Sequence, residues 1–467
     1  MTPLLKVIFL FLMAGGLPVA IAMAGSSLIY LLWMQTTPPF VVIHRMVSGI
    51  DSFPLLAVPF FILAGNLMNN AGITNRIYNF ALALVGWLKG GLGHVNVLGS
   101  VVFAGMSGAA IADAAGLGTI EIKAMKDHGY ATEFAVGVTA ASATLGPIIP
   151  PSLPFVIYGM MANVSVGALF LAGILPGALM AILMMLTVAY YAHKNHWGAD
   201  IKFEWARVLK ALGELAVVIG WPTALWLLVD KAGLPAQPTV LTGLVLLFAA
   251  DKMFRFQAVL PIMTPVLLIG GMTTGLFTPT EGAIAACLWA MVLGLAWYRT
   301  MSWTLFVKVC LDTVETTATV LFIVAAASIF GWMLTATGVT AAISEWVLAF
   351  TQNPWVFLLL ANMLMLFVGC FLEPTAAITI LVPILVPICQ KLGIDLVHFG
   401  LVMVLNLMIG LLHPPMGMVL FVLARVAKLS VERTTIAILP WLVPLLLSLG
   451  VITYFPQLVL WLPKQFF

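Results

Sequence analysis

A helix breaker sits inside an apolar run at Gly146-Pro147-Ile148-Ile149-Pro150-Pro151-Ser152, and it restricts what this chain can become. Residues 131–161 are otherwise long and apolar enough to cross a bilayer, which takes roughly 20 helical residues. Proline lacks a backbone N–H and clashes with the preceding turn, so Pro147, Pro150 and Pro151 unwind the helix there. Unwound backbone at membrane depth is tolerated only where protein or a water-filled cavity surrounds it. Freed carbonyls and half-helix ends then become ligands for a cation or an anion.

The breaker has a twin. Gly410-Leu411-Leu412-His413-Pro414-Pro415-Met416 repeats the order Gly, three residues, Pro-Pro, 264 positions later. Of the three Pro-Pro pairs in the chain, only these two follow a glycine at that distance. Paired interruptions in two halves of a membrane protein are the strongest sequence pointer to a transporter's binding site.

Composition supports a membrane setting. The 467 residues are 63% hydrophobic and 8% charged, whereas soluble domains carry about 25% charge. The expected class is an all-α polytopic membrane protein, with no room for a separate soluble domain. A net charge of +3 does not point to nucleic acid, because the basic residues fall in short loops where they set topology. Cys287, Cys310, Cys370 and Cys389 lie singly in apolar segments, so they read as buried thiols rather than a metal or disulfide framework.

In chain order, residues 7–33 read as a first span, since hydrophobicity continues to Trp33, past the 7–15 residues of a signal-peptide core. A Pro-containing loop with His44 and Arg45 leads to a second span, 53–70. Residues 73–90 suit either a third span or a helix along the interface, and their moderate hydropathy with Arg76 and Lys89 favours the interface. The stretch 93–122 is interrupted around Ser107-Gly108 and reads as a re-entrant hairpin, its feet marked cytoplasmic by Lys89, Lys123 and Lys126. The broken segment 131–161 and a span at 166–192 follow, then a basic loop with Lys194, Lys202, Arg207 and Lys210. Spans are expected at 212–230, 232–250, 257–276, 281–298 and 309–336, and an amphipathic piece at 341–351. A second interrupted run, 354–391, breaks at Gly369–Ala377; counting spans from the basic loops puts its feet outside. Segment 397–427 carries the second Pro-Pro break, and 434–455 leaves the C-terminus on the periplasmic side.

The spacing makes this a repeat. Gly105 to Gly146 is 41 residues, as is Gly369 to Gly410. Residues 1–200 and 258–467 thus form two halves of opposite topology, with 201–257 as a cytoplasmic loop and two further spans. That is the inverted-repeat architecture of secondary transporters.

At these residues the chain resembles the DctM-like large permease of tripartite ATP-independent periplasmic (TRAP) transporters. The resemblance is carried by Asp51-Ser52-Phe53-Pro54-Leu55, Ala64–Asn69, Phe103–Gly108, Ala112-Asp113-Ala114, Ala140–Thr144, the Gly146–Ser152 break, Phe277–Glu281 and Asn406–Pro415. It implies a sodium-driven, elevator-type importer in the bacterial inner membrane. A periplasmic binding protein would deliver an organic acid, and a small four-helix membrane subunit would support the permease. It also implies two sodium sites, each between a hairpin tip and a broken helix. Site one would use Ser107, Gly146, Ile149 and Pro151, with Asp113 close by. Site two would use Gly369, Glu373 and Thr375 with Gly410, His413 and Pro415. Ser165, Ser152 and Asn406 are the candidates for substrate contact. No organic cofactor is expected.

Two departures bear on the sites. Ala109 stands where such permeases often carry a second serine, and His413 where they often carry threonine. A sodium site that is weaker or pH-sensitive would therefore be the second. Residues 213–257 also look like an insertion of two spans.

Structural roles compete with these functional ones. Asp113 in an apolar setting is a functional candidate by default, because a membrane carboxylate costs about 2.5–3.5 kcal/mol on insertion scales. Glu373 suits a helix cap as well as a site, Thr278-Pro279-Thr280-Glu281 reads first as a helix start, and His413 reads first as a core histidine. A stand-alone sodium/carboxylate symporter is the alternative function. An intramembrane enzyme is remote, since Asp113 lacks a partner aspartate and no nucleophile motif appears.

Overall fold

The computed structural model describes residues 2–466 apart from 36, 232–235, 255, 257, 275 and 414–416. Regular structure among the described residues is helical, with one isolated bridge between Lys89 and Ala199. Seven of the described helices are long and apolar enough to cross a membrane.

Each half contains a hairpin and a broken helix. The first hairpin runs from Gly91–Ser107 into Ala110–Ala115 and Leu117–Asp127, turning at Gly108 with φ +62°. The first broken helix comprises Thr132–Ala143 and Leu153–Ala162, separated by the predicted breaker. In the second half the hairpin limbs are Pro354–Gly369 and Pro374–Lys391, and the broken helix is Leu396–Gly410 and Met418–Ala427. Glycine or proline stands at each interruption, as at Gly108 in the first hairpin turn and Pro374 at the start of the second limb of the second hairpin.

The halves interlock. Leu153–Ala162, beyond the first break, packs on the second limb of the second hairpin, Pro374–Lys391. Met418–Ala427, beyond the second break, packs reciprocally on Ala110–Ala115 of the first hairpin. One continuous apolar core joins hairpins, broken helices and the long helices Val166–Lys194 and Val431–Tyr454. Bare glycines set the closest crossings: a Cβ on Gly400 would lie 2.3 Å from the Tyr158 ring, and one on Gly137 2.5 Å from Trp441.

Around this body lies a second set of helices. Pro279–Met291 packs on Ala57–Asn70, and the 34-residue Trp303–Ala336 contacts the N-terminal helices. Residues 73–90 contain a helix, Ile73–Val85, of 13 residues. At 1.5 Å per residue it is about 20 Å long, too short for a hydrocarbon core of about 30 Å.

Two expectations are corrected here. Residues 7–33 are not one span but two helices, Thr2–Ala14 and Val19–Met34, packed against each other. Gly16 takes a left-handed φ of +81° and Pro18 precedes the second helix, so the chain turns back where hydropathy alone shows no break. The Pro-containing loop is largely a helix, Phe40–Ile50, lying on Trp303–Ala336 with the Arg45 guanidinium 5.2 Å from the Trp332 ring centre. Beyond the expected last span, Pro456–Leu460 and Pro463–Phe466 fold back on Val166–Lys194.

Candidate functional site

Each hairpin tip is seated in the break of its own half. At the first tip, a Cβ on Gly108 would lie 2.6 Å from the Pro151 carbonyl oxygen, and one on Gly146 3.3 Å from that of Ala109. Tip and unwound backbone therefore touch main chain to main chain, which only residues without side chains permit. Behind the tip, Gly65 brings Ala57–Asn70 against the backbone of Ser107, its added Cβ lying 3.1 Å from the Ser107 carbonyl oxygen. The Ser107 hydroxyl is buried and has no hydrogen-bond partner among the described residues. An unpartnered hydroxyl beside converging carbonyls fits a hard cation, which prefers oxygen ligands. Sodium would suit these oxygens, and Ser107 with the carbonyls around Pro151 would hold it.

The second tip repeats this with glycine on both sides. A Cβ on Gly410 would fall 2.7 Å from the Gly369 Cα. Thr375 donates a hydrogen bond to the Glu373 carboxylate, which also accepts from the Ala376 amide at 3.4 Å. Glu373 thereby caps Pro374–Lys391, as one of its two sequence readings had it. The His413 Nδ1 lies 3.2 Å from the Cys370 sulfur, so histidine and thiol meet where tip and break join. Pro415 lies outside the described residues.

The remaining candidates separate. Ile149 points its side chain at Gly177 of Val166–Lys194, leaving only its backbone near the break. Ser152 is fully buried and accepts from the Phe155 amide at 3.3 Å, capping Leu153–Ala162. Asn406 is fully buried and donates to Asn362 of the second hairpin. Asp113 is 1% exposed inside the first hairpin.

Ser165 lines a cavity of about 340 Å³. Phe53 and Pro54 form one wall, and Phe277, Thr278 and Thr280 another. Two motifs quoted from sequence thus meet across this space. The Thr278–Glu281 pair forms a reciprocal helix cap, and Thr280 donates to the Phe53 carbonyl at 3.2 Å. Among the described residues, no charged side chain lines the cavity.

Sequence reasoning missed Glu121, Asn96 and Thr139, which are buried together behind the first tip. Glu121 stands two residues before Lys123, so in the sequence it reads as part of a solvated foot.

The family model for the tripartite ATP-independent periplasmic transporter DctM component matches residues 6–458. The chain belongs to this family. It is similar to the sialic acid TRAP transporter large permease protein SiaM of Vibrio cholerae, 42% identical over 98% of this chain and 97% of that protein. It also resembles the sialic acid TRAP permease SiaT of Haemophilus influenzae, at 37% identity over 98% of this chain and 67% of that protein. The C4-dicarboxylate permease DctM of Rhodobacter capsulatus is 32% identical over 97% and 96% of the two chains. Among solved structures, the YdaH transporter of Alcanivorax borkumensis superposes with a TM-score of 0.59 at 16% identity, covering 93% of this chain and 89% of that one. MtrF of Neisseria gonorrhoeae gives 0.56 at 12% identity over 88% and 83%. Both likenesses concern the fold alone. This DctM-family chain is therefore a multi-span large permease of the bacterial inner membrane, and the relatives it resembles are transporter permeases.

Proposed function

We propose that this permease imports a small organic acid by sodium-coupled secondary transport, as the transport subunit of a TRAP system. The observation that carries this reading is the duplicated contact of hairpin tip with unwound helix, at Gly108–Pro151 and Gly369–Gly410. Sodium at each tip would bind both partners of such a contact and so favour the seated hairpin. Substrate would lie between the two tips, where half-helix N-termini favour a carboxylate without a buried arginine. Ser165 and the cavity it shares with Thr278 and Thr280 would supply hydroxyls to the rest of the molecule. The relatives' substrates, sialic acid and C4-dicarboxylates, are carboxylates. Alternating access would carry the interlocked hairpins and broken helices against the outer helices.

A periplasmic binding protein and a small four-helix subunit are the partners that family membership implies, and the C-terminus is assigned to the periplasm from the basic loops. The test is uptake in proteoliposomes holding this permease with its small subunit. Uptake that needs both an inward sodium gradient and the binding protein is expected. Uptake indifferent to sodium would overturn the coupling, and uptake without any binding protein would establish a stand-alone symporter instead.

A further inference from the structure

Behind the first tip, six polar side chains are buried: Asn96, Ser100, Asp113, Glu121, Thr139 and Ser142, none more than 2% exposed. They come from both limbs of the first hairpin and from Thr132–Ala143, so three separate elements converge. Asn96 organises them. Its amide donates to Glu121 Oε2 at 2.6 Å and to the Thr139 hydroxyl at 2.8 Å, while Ser142 donates to its Oδ1 at 2.7 Å.

Two oxygens are left over. Asp113 Oδ2 and Glu121 Oε1 are fully buried and accept from no group among the described residues. Neither carboxylate forms an ion pair with a described residue. The first limb makes room for one of them: a Cβ on Gly99 would sit 2.7 Å from Glu121 Oε1. Buried carboxylates without a counter-charge are strongly disfavoured, so this arrangement calls for one.

We propose that this buried cluster holds a small hard cation, Na⁺, between Asp113 Oδ2 and Glu121 Oε1, at a site separate from the two hairpin tips. The donors are all oxygen, which selects against soft metals. Magnesium keeps several waters and calcium takes six to eight oxygens; two free carboxylate oxygens and the hydroxyls of Ser100 and Thr139 meet neither demand. The ion ties both hairpin limbs to the helix that runs into the first break. It thereby stiffens the seat of the first tip.

The choice of sodium rests on the function proposed above, and the experiment separates the two. Radiolabelled Na⁺ is bound to the purified complex of permease and small subunit by equilibrium dialysis in choline buffer, for wild type, Glu121→Gln and Asp113→Asn. Each variant is expected to bind one Na⁺ fewer per permease, or to bind one of its ions about tenfold or more weakly, while eluting as an intact complex. Unchanged ion count and affinity in both variants overturns the inference and leaves sodium coupling standing. A wild type that binds no sodium overturns both. Glu121→Leu guards against a folding defect. Without an ion, removing an uncompensated charge raises the melting temperature in sodium and choline alike, and that result also overturns the site. With an ion, the variant loses part of the stabilisation that sodium gives the wild type.

Discussion

Asn406 donates its side-chain amide to Asn362 Oδ1 at 2.8 Å, fastening the second broken helix to the first limb of the second hairpin. Ser142, 264 residues earlier, makes the matching contact with Asn96 Oδ1 at 2.7 Å in the first half. That interval is the one separating the two Pro-Pro breaks. The repeat therefore extends from backbone interruptions to the polar clasps that hold each hairpin against its helix.

The clasp gives Asn406 a structural part distinct from its sequence candidacy for substrate contact. Replacing it with leucine strips the Asn362 carbonyl groups of their donor, at a cost of about 1–3 kcal/mol. Asn406→Leu should lower the melting temperature of the purified complex while leaving the KM for substrate close to wild type. A raised KM at unchanged stability would return the residue to the binding site.

The tips should be intolerant of a single methyl group. Gly410→Ala puts a Cβ 2.7 Å from Gly369, and Gly108→Ala puts one 2.6 Å from Pro151 while forcing alanine to φ +62°. Each overpacks a backbone contact, worth about 1–3 kcal/mol. We expect uptake to fall at least tenfold and the sodium concentration for half-maximal uptake to rise. Gly129→Ala, with φ +82° but nothing within 4 Å, serves as a control for backbone strain without a tip.

Outside the spans, Asp200 Oδ2 accepts from the Leu92 amide at 2.8 Å and from the Tyr130 hydroxyl at 2.6 Å. It thus ties the foot of the first hairpin to the start of the first broken helix. Burial, and then the bond to Asp200, push the Tyr130 hydroxyl above its ordinary value of 10.0. A raised value favours the protonated donor in the fold, so its contribution is whole below pH 10.0 and is lost only as pH rises above it. Tyr130→Phe should melt below wild type by a gap that stays constant from about pH 6 to 9. A gap that closes within that window would show that the hydroxyl does not hold the clasp.

His413→Thr exchanges the ring beside Cys370 for the hydroxyl that similar permeases often carry. Sodium activation of uptake should shift to lower concentration, because an oxygen ligand replaces a nitrogen at the second tip. Unaltered sodium dependence would remove the histidine from that site.

Much of this organisation was legible in one dimension. Gly146–Ser152 and Gly410–Met416 announce themselves because each sets a Pro-Pro pair behind a glycine, a stronger interruption than the single prolines that Pro374–Lys391 carries inside its helix, and their equal distance from Gly105 and Gly369 identifies the hairpins. Local chemistry also marked the Thr278–Glu281 cap and allowed one for Glu373. The fold-back at Gly16–Pro18 was hidden, since hydropathy measures apolarity and not direction.

What only tertiary structure decided is which polar groups face one another. Glu121 sits beside Lys123 in the sequence, yet its carboxylate is buried and bonded to Asn96 because the hairpin folds the second limb back onto the first. Ser165 joins Phe53 and Thr278 around one cavity although more than 100 residues separate each from it. The sequence by itself settled where the chain must break and that it breaks twice, because steric exclusion at proline and glycine is local. Which oxygens are left without partners after packing depends on every neighbour at once, and that was decided by the assembled helices.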